Sequence, residues 1–216
     1  VIDGDSTMSQ EPLSFSDDMT GSILRGFFRD GELDSVRLEG MATTLYHIFE
    51  DSIYQGNNRA SGDTIVLKFG EDDLESIFIS GGSEGTYTPD SLGSDIDEKV
   101  VYQSDKIKYN MLDESTDLLG EANIDYTDMN LKAGFINVAW RSNLLKALPS
   151  SDKDSTITPI RPTMIEEGNE PMVGDTMIYN LDSQNGKVIR GKTKADDGYY
   201  HGKEIRNQNM DIFYID

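Results

Sequence analysis

The chain offers few groups that could do chemistry. Its only histidines are His47 and His201, each beside aromatic residues, at Tyr46-His47 and Tyr199-Tyr-His201. A metal or acid–base role for either needs partners converging from elsewhere in the fold, and the sequence shows none. Asp3-Gly-Asp-Ser-Thr7 begins like a calcium-binding loop, but the twelfth position is Ser14 and not the bidentate Glu that such a loop requires. The acidic pairs Asp17-Asp18, Asp72-Asp73 and Asp196-Asp197 read as solvated charge in turns, with a loose surface calcium site as the sharper reading. Carboxylates abound, but a glycosidase needs two of them at set separation in one cleft. No P-loop, Rossmann glycine fingerprint, GxSxG or HExxH is present. With no cysteine, thiolate–zinc sites, thiol catalysis and disulfides are excluded. The expectation is a protein that is not an enzyme and needs no cofactor or metal.

The elements that would position any site are repetitive. Asp63-Thr-Ile-Val-Leu-Lys-Phe69 is echoed by Asp105-Lys-Ile-Lys-Tyr-Asn110 and Asp175-Thr-Met-Ile-Tyr-Asn180. Each begins with Asp, alternates apolar residues and runs into a polar turn. A second echo crosses the first: Gly40-Met-Ala-Thr-Thr-Leu-Tyr46 recurs as Gly120-Glu-Ala-Asn-Ile-Asp-Tyr126. Recurring strand–turn–strand units bury together a core that no single unit could bury alone. They point to an elongated β-structure with a long face or groove.

Bulk composition narrows the partners. The 216 residues suffice for one large all-β domain or two smaller ones. The apolar fraction is 36%, which suits a thin core under a wide surface. Nineteen Lys and Arg against forty Asp and Glu leave a net charge of −21. Such a surface repels nucleic acid phosphates and anionic membranes. No run of 18 apolar residues exists, so no helix here spans a membrane. Val1 and the terminal Asp211-Ile-Phe-Tyr-Ile-Asp216 read as the limits of an excised segment or processed chain, so a missing signal peptide carries no weight.

Along the chain, period-2 alternation dominates. Arg29-Asp-Gly31 and Asn185-Gly186 are hairpin signals, Gln55-Gly-Asn-Asn58 reads as a turn, and Gly81-Gly82 and Pro89 close the first unit. The strongest strand is Leu131 to Trp140. Arg141 to Leu148 fits either one helical turn or a strand edge, and Pro149 ends it. Residues 149–174 hold four of the six prolines and read as a crossing between units. Helical segments are absent between strands, so the fold is expected to be antiparallel and all β, with at most one short helix. Residues 1–90 form one unit and 91–216 a second.

Asp105-Lys-Ile-Lys-Tyr-Asn110, Leu119-Gly-Glu-Ala-Asn-Ile-Asp-Tyr126 and Asp128-Met-Asn-Leu-Lys-Ala133 resemble the OstA repeat of the lipopolysaccharide transport proteins LptA and LptD. Gly174-Asp-Thr-Met-Ile-Tyr-Asn-Leu181, Gly186-Lys-Val188 and Gly198-Tyr-Tyr-His-Gly202 are similar to the LptD-type pattern. The likeness is best from Val100 to Asp216 and weaker from Gly21 to Pro89. It implies a stacked-hairpin β-jelly-roll, open along one side, whose interior holds the acyl chains of lipopolysaccharide or a related glycolipid. It also implies other Lpt-type modules joined strand edge to strand edge, and a periplasmic location associated with the outer membrane. The proline-rich crossing and the acidity depart from short LptA-like proteins and favour part of a longer LptD-like chain.

On this reading the lipid-facing residues are Ile65, Leu67, Phe69, Ile107, Tyr109, Ile124, Tyr126, Ile136, Val138, Trp140, Met177, Tyr179, Ile212 and Tyr214. The bland reading of the same residues is a closed sandwich core. Face assignments depend on register, which one bulge inverts. The rivals are a structural or glycan-binding β-repeat of an adhesin-like protein and a carbohydrate-active jelly roll.

Overall fold

The structure is a computed structural model that describes residues 15–70, 73–150, 159–166, 168–195, 198–208 and 212–216. Its strands are β1 (Asp18–Thr20), β2 (Ile23–Arg29), β3 (Glu32–Glu50), β4 (Ile53–Phe69), β5 (Leu74–Pro89), β6 (Val100–Asn110), β7 (Ser115–Tyr126) and β8 (Met129–Ala139). They continue as β9 (Leu144–Leu148), β10 (Thr163–Glu166), β11 (Met172–Val173), β12 (Thr176–Asn180), β13 (Gly186–Ala195), β14 (Gly198–Gln208) and β15 (Ile212–Ile215). All belong to one antiparallel sheet. Among the described residues a single 3-10 turn, at Trp140–Ser142, interrupts them. Residues 90–99 join β5 to β6, and these two strands pair directly, so pairing runs unbroken from β3 through β8.

The long strands are bent, and all bend at one level. Register shifts fall at Glu39/Ala42, Ser61/Thr64, Ser80/Ser83, Gln103/Lys106 and Leu119/Ala122 on successive strands. There β3, β5 and β7 each carry two left-handed residues: Gly40-Met41, Gly81-Gly82 and Gly120-Glu121. Each pair opposes one residue on the next strand: Asp63, Asp105 or Gly134. Two residues against one is a bulge, which bends the strand and tightens its twist. Bulges aligned across six strands fold the sheet along a crease into two facing leaves.

The crease explains both sequence echoes. The Gly-X-Ala echo is the left-handed pair followed by a buried small residue, Ala42 or Ala122, and Gly81-Gly82-Ser83 is a third copy. The leading Asp of the other echo sits against that glycine on the neighbouring strand. A Cβ on Gly81 would collide with the Asp63 carboxylate, and one on Gly120 with that of Asp105. Ser22 takes the Asp position against Gly40, where a Cβ would lie 2.9 Å from its Oγ. In the last unit Arg190 (φ 48°) stands where the glycine would be, and its guanidinium pairs with Asp175.

The first leaf contains β2, β9, β12 and β15 with residues 32–39, 64–69, 74–80, 106–110, 115–119 and 135–139 of the long strands. The second contains β1, β10 and β11 with the other halves. The strands β9 and β10 share one edge of β8, with Phe135 opposite Leu148 and Lys132 opposite Thr163. They fill the place of one strand, from which the chain departs at the crease. Ser150 N–H donates to Ile160 O at 3.0 Å and Ile160 N–H to Ser150 Oγ at 3.0 Å, which holds this pair together beside β8. Gly134 leaves room for it, since a Cβ there would strike the Ser150 backbone. Pairings among β8, β9, β12, β13, β11 and β10 close a ring of six strand segments around this gap.

Three local readings change, and one open alternative is resolved. Gln55-Gly-Asn-Asn58 lies inside β4; the turn before it is Asp51-Ser52, both left-handed. Gly81-Gly82 is the crease inside β5 and not the close of a unit. Arg141 to Leu148 is mostly strand, because β9 can pair with both β8 and β12. The stretch 149–174 holds β10 and β11, since Met164 and Met172 both bury in the core.

The core between the leaves is filled. Leu38, Ile65, Ile79, Ile107, Leu118, Ile124, Leu131 and Ile136 are fully buried.

Candidate functional site

Alternation decides which side chains enter the interior, and the crease resets it. On β6 Tyr102 and Ser104 face inward before the crease, and Ile107 and Tyr109 after it. The same odd-for-even switch occurs on β4 and β8, whereas β3, β5 and β7 keep parity because their inserts hold an extra residue. Aromatic rings from opposite leaves therefore meet. Tyr46 packs edge-on against Tyr109 with centroids 5.8 Å apart, and Tyr87 against Trp140 at 5.2 Å.

Opposite the crease the leaves end in separate rows of turns, and the seam between them opens into a cavity of about 310 Å³. Its walls include Tyr46, Ile48, Tyr87, Tyr109, Met111 and Trp140. The connector 90–99 lies over one side and inserts Ile96, which is 3% exposed. Several polar atoms of this wall are already engaged. Tyr87 O–H donates to Gln55 O at 2.8 Å, and Trp140 Nε1–H to Thr116 Oγ1 at 2.7 Å. The Asp90 carboxylate accepts from the N–H groups of Leu92 and Gly93, which holds the connector in place. At the rim Arg141 pairs with Glu114. The mouth thus combines aromatic and apolar walls with the carboxylates of Glu50, Asp95 and Glu114.

A second opening of about 440 Å³ lies farther along the roll, lined by Met164, Glu166, Met172, Lys194, Tyr200 and Ile205. Glu166 lies on the inward-facing row, opposite the buried Met129. Its Oε1 and the hydroxyl of Tyr179 are buried without a protein partner among the described residues. Burial raises the Glu166 carboxyl above its ordinary pKa of 4.5, against a smaller opposing effect of Asn169. Burial also pushes the Tyr179 phenol upward, and the Glu166 charge adds to this.

The expected lipid-facing residues divide into groups. Ile65, Leu67, Ile107, Tyr109, Ile124, Tyr126, Ile136, Val138, Met177 and Tyr179 are buried between the leaves. Phe69 and Trp140 are partly buried against that core, and of the whole set only Tyr109 and Trp140 line the seam cavity. Ile212 lies in β15, opposite Gln208. Tyr214 departs from the expectation. It is 56% exposed, because β15 is the last strand and its Tyr214 pairs with Arg206 on the outer face. Sequence reading missed Tyr46, Tyr87, Tyr102 and Ile96. Alternation could have found Tyr102, had the parity switch at Ser104-Asp105 been read; nothing local marks Ile96.

The histidines have ordinary roles. His47 Nδ1 and backbone N–H both contact Asp17 Oδ1, at 3.0 and 2.8 Å, within a surface cluster of Phe15, Phe49 and Tyr54. His201 lies opposite Lys192 on β14 and is exposed. The calcium-loop residues 3–7 and Ser14, together with Asp72, Asp196 and Asp197, lie outside the described residues.

No protein-family model and no curated protein matches the sequence. Among solved structures the chain is similar to LptH, the LptA-homologous periplasmic component of the lipopolysaccharide transport device of Pseudomonas aeruginosa. The TM-score is 0.53 at 13% identity, covering 70% of this chain and 95% of that one. At that identity the likeness is one of fold: an all-β roll of the LptA type.

Proposed function

We propose that this chain is a periplasmic module of a lipopolysaccharide-transport bridge. It would carry the acyl chains of lipopolysaccharide, or a related glycolipid, along its apolar interior and join its neighbours edge to edge. The observation that carries this reading is an inward face that does not stop where the core stops. Directly opposed residues share a face. Leu24 stands opposite the buried Leu38, and Met19 opposite the buried Thr44. Yet Leu24 is 60% and Met19 40% exposed, and Phe28, opposite the core-packed Leu33, is 70% exposed. The apolar lining thus continues onto the open end of the roll, where the edge strands β1 and β2 leave backbone groups for another strand. Each CH₂ taken out of water contributes about 0.8 kcal/mol, so acyl chains bind through area without a specific polar contact. The finer assignment, to the LptD-like branch beside the outer membrane, rests on the sequence motifs from Val100 to Asp216.

A second reading, a structural β-roll spacer, is favoured by the filled centre. Leu38, Ile65, Ile107 and Leu118 are fully buried between the leaves. Photocrosslinking to lipopolysaccharide separates the two. Probes belong at Leu24 on the open end, Met111 in the seam and Asn137 on the outer face. Crosslinks at Leu24 and Met111 but not Asn137 support the conduit. Crosslinks at none of the three, in folded protein, leave the spacer.

A further inference from the structure

The outer face of the first leaf carries a charge pattern opposite to that of the protein. Strand register places twelve residues in one unbroken transverse row: Arg25, Arg37, Val66, Phe78, Lys108, Asp117, Asn137, Lys146, Ile178, Lys187, Arg206 and Tyr214. Six are cations and one is a carboxylate, in a chain with nineteen cations and forty carboxylates. The two ends of the row are partly neutralised from the adjoining row. Arg25 and Arg37 share Glu39, and Lys187 and Arg206 share Glu204. In the middle, Lys108 and Lys146 are exposed and form no ion pair among the described residues. Lys106 adjoins Lys108 on β6, and Lys68 lies two strands away on the same face. At its far end the row enters a surface groove of about 620 Å³ lined by Lys187, Glu204, Arg206 and Tyr214.

We propose that this row is a binding track for an acidic polysaccharide lying across the strands. Neighbouring strands are about 4.8 Å apart, so the row is about 50 Å long and its central cations are about 14 Å apart. Strands also rotate by about 20–25° from one to the next, so the track winds as it crosses the sheet. A flat bilayer surface touches only a few strands of such a track, whereas a flexible linear chain follows it. The wide spacing fits a chain whose carboxylates are separated by neutral sugars. A nucleic acid carries a charge about every 3.4 Å per strand and would meet far more of the chain's own negative field. Nor does the row offer the series of stacking rings that single strands require, since Phe78 stands alone in its centre. The side chains of Asn137 and Asp117, bonded to each other at 2.7 Å, keep lone pairs and an N–H for sugar hydroxyls. The track lies on the outer surface and is separate from the interior lipid path.

The test is binding of the whole chain to hyaluronate, an alternating acidic and neutral polymer, with neutral dextran, single-stranded DNA and phosphatidylglycerol vesicles as competitors for the assignment. The expected result is binding to hyaluronate that weakens with added salt. In Lys108→Gln/Lys146→Gln the affinity should fall about two- to thirtyfold, the range for two exposed ion pairs. Both positions are outward and unpaired, so the variant folds. Lys132→Gln/Lys192→Gln, on the outer face of the other leaf, should bind like the parent. No binding to hyaluronate, equal loss in both variants, equal binding of dextran, or tighter binding of DNA or vesicles each overturns the proposal.

Discussion

The phenol oxygens of Tyr102 and Tyr109 are 2.7 Å apart, although the two residues are seven positions apart on one strand. On a straight strand an odd separation puts two side chains on opposite faces, more than 20 Å apart at about 3.3 Å per residue. Here the crease at Ser104-Asp105 folds β6 back so that both rings enter one core. Tyr102 O–H donates to Asn58 Oδ1 at 2.7 Å. Its single proton is then spent, so Tyr109 is the donor between the two phenols. Burial raises the pKa of both far above the ordinary phenol value, and both stay neutral.

Replacing Tyr102 by Phe leaves the Tyr109 hydroxyl and the Asn58 carbonyl without their partner in a dry core. The expected loss is about 1–3 kcal/mol by urea denaturation. Tyr102→Phe/Tyr109→Phe should cost less than the sum of the two single changes, because the hydroxyls share one network. Strict additivity would show that the pair does not hold the leaves together.

The crease glycines should differ sharply among themselves. Gly120 has φ 77° and faces the Asp105 carboxylate, so Gly120→Ala is strained in the backbone and blocked in space. Gly82 has φ 59° with nothing within 4 Å of an added Cβ. Gly82→Ala should therefore cost only the left-handed penalty of about 1–2 kcal/mol. The Gly120→Ala protein should melt well below it, and thermal unfolding monitored by circular dichroism checks the order.

The buried carboxyl of Glu166 gives a stability that depends on pH. Its folded pKa is raised, so the folded state holds the proton more tightly than the unfolded state does. Stability is then greatest below the ordinary carboxyl pKa of 4.5 and falls as pH rises through the raised folded value. Glu166→Gln should raise the Tm at pH 7 and flatten its decline above pH 4.5. A variant that melts lower at pH 7 would mean that the ionised carboxylate is stabilising.

Trp140 is the only tryptophan and lines the seam cavity. A fatty acid brominated along its chain should quench its fluorescence in a saturable manner if acyl chains enter there. Ile96→Ala, which thins the connector's insertion, should increase the quenching at equal ligand. Quenching that is weak and linear in ligand would mean collision from solvent and would remove the seam from the lipid path.

The residues alone determined the all-β class, the antiparallel hairpins and most of the inward faces. Alternation of the kind seen at Ile65, Leu67 and Phe69 follows from the two-residue period of a strand, which is local. The Asp30-Gly31 hairpin was legible for the same reason, since both residues take the left-handed conformations that a two-residue loop demands. The two echoes were visible too, but their meaning was not. The pairing of Asp105 with Gly120 joins adjacent strands, and the glycine motif could equally have marked turns. Only the tertiary structure decided that these glycines lie on one line, that the line is a fold, and that Tyr46 therefore meets Tyr109. It also placed Ile96 in the seam and aligned Arg37, Lys108, Lys146 and Arg206 in one row. Register between strands sets all of these, and register comes from the bulges and connections of the whole sheet, which no single segment contains.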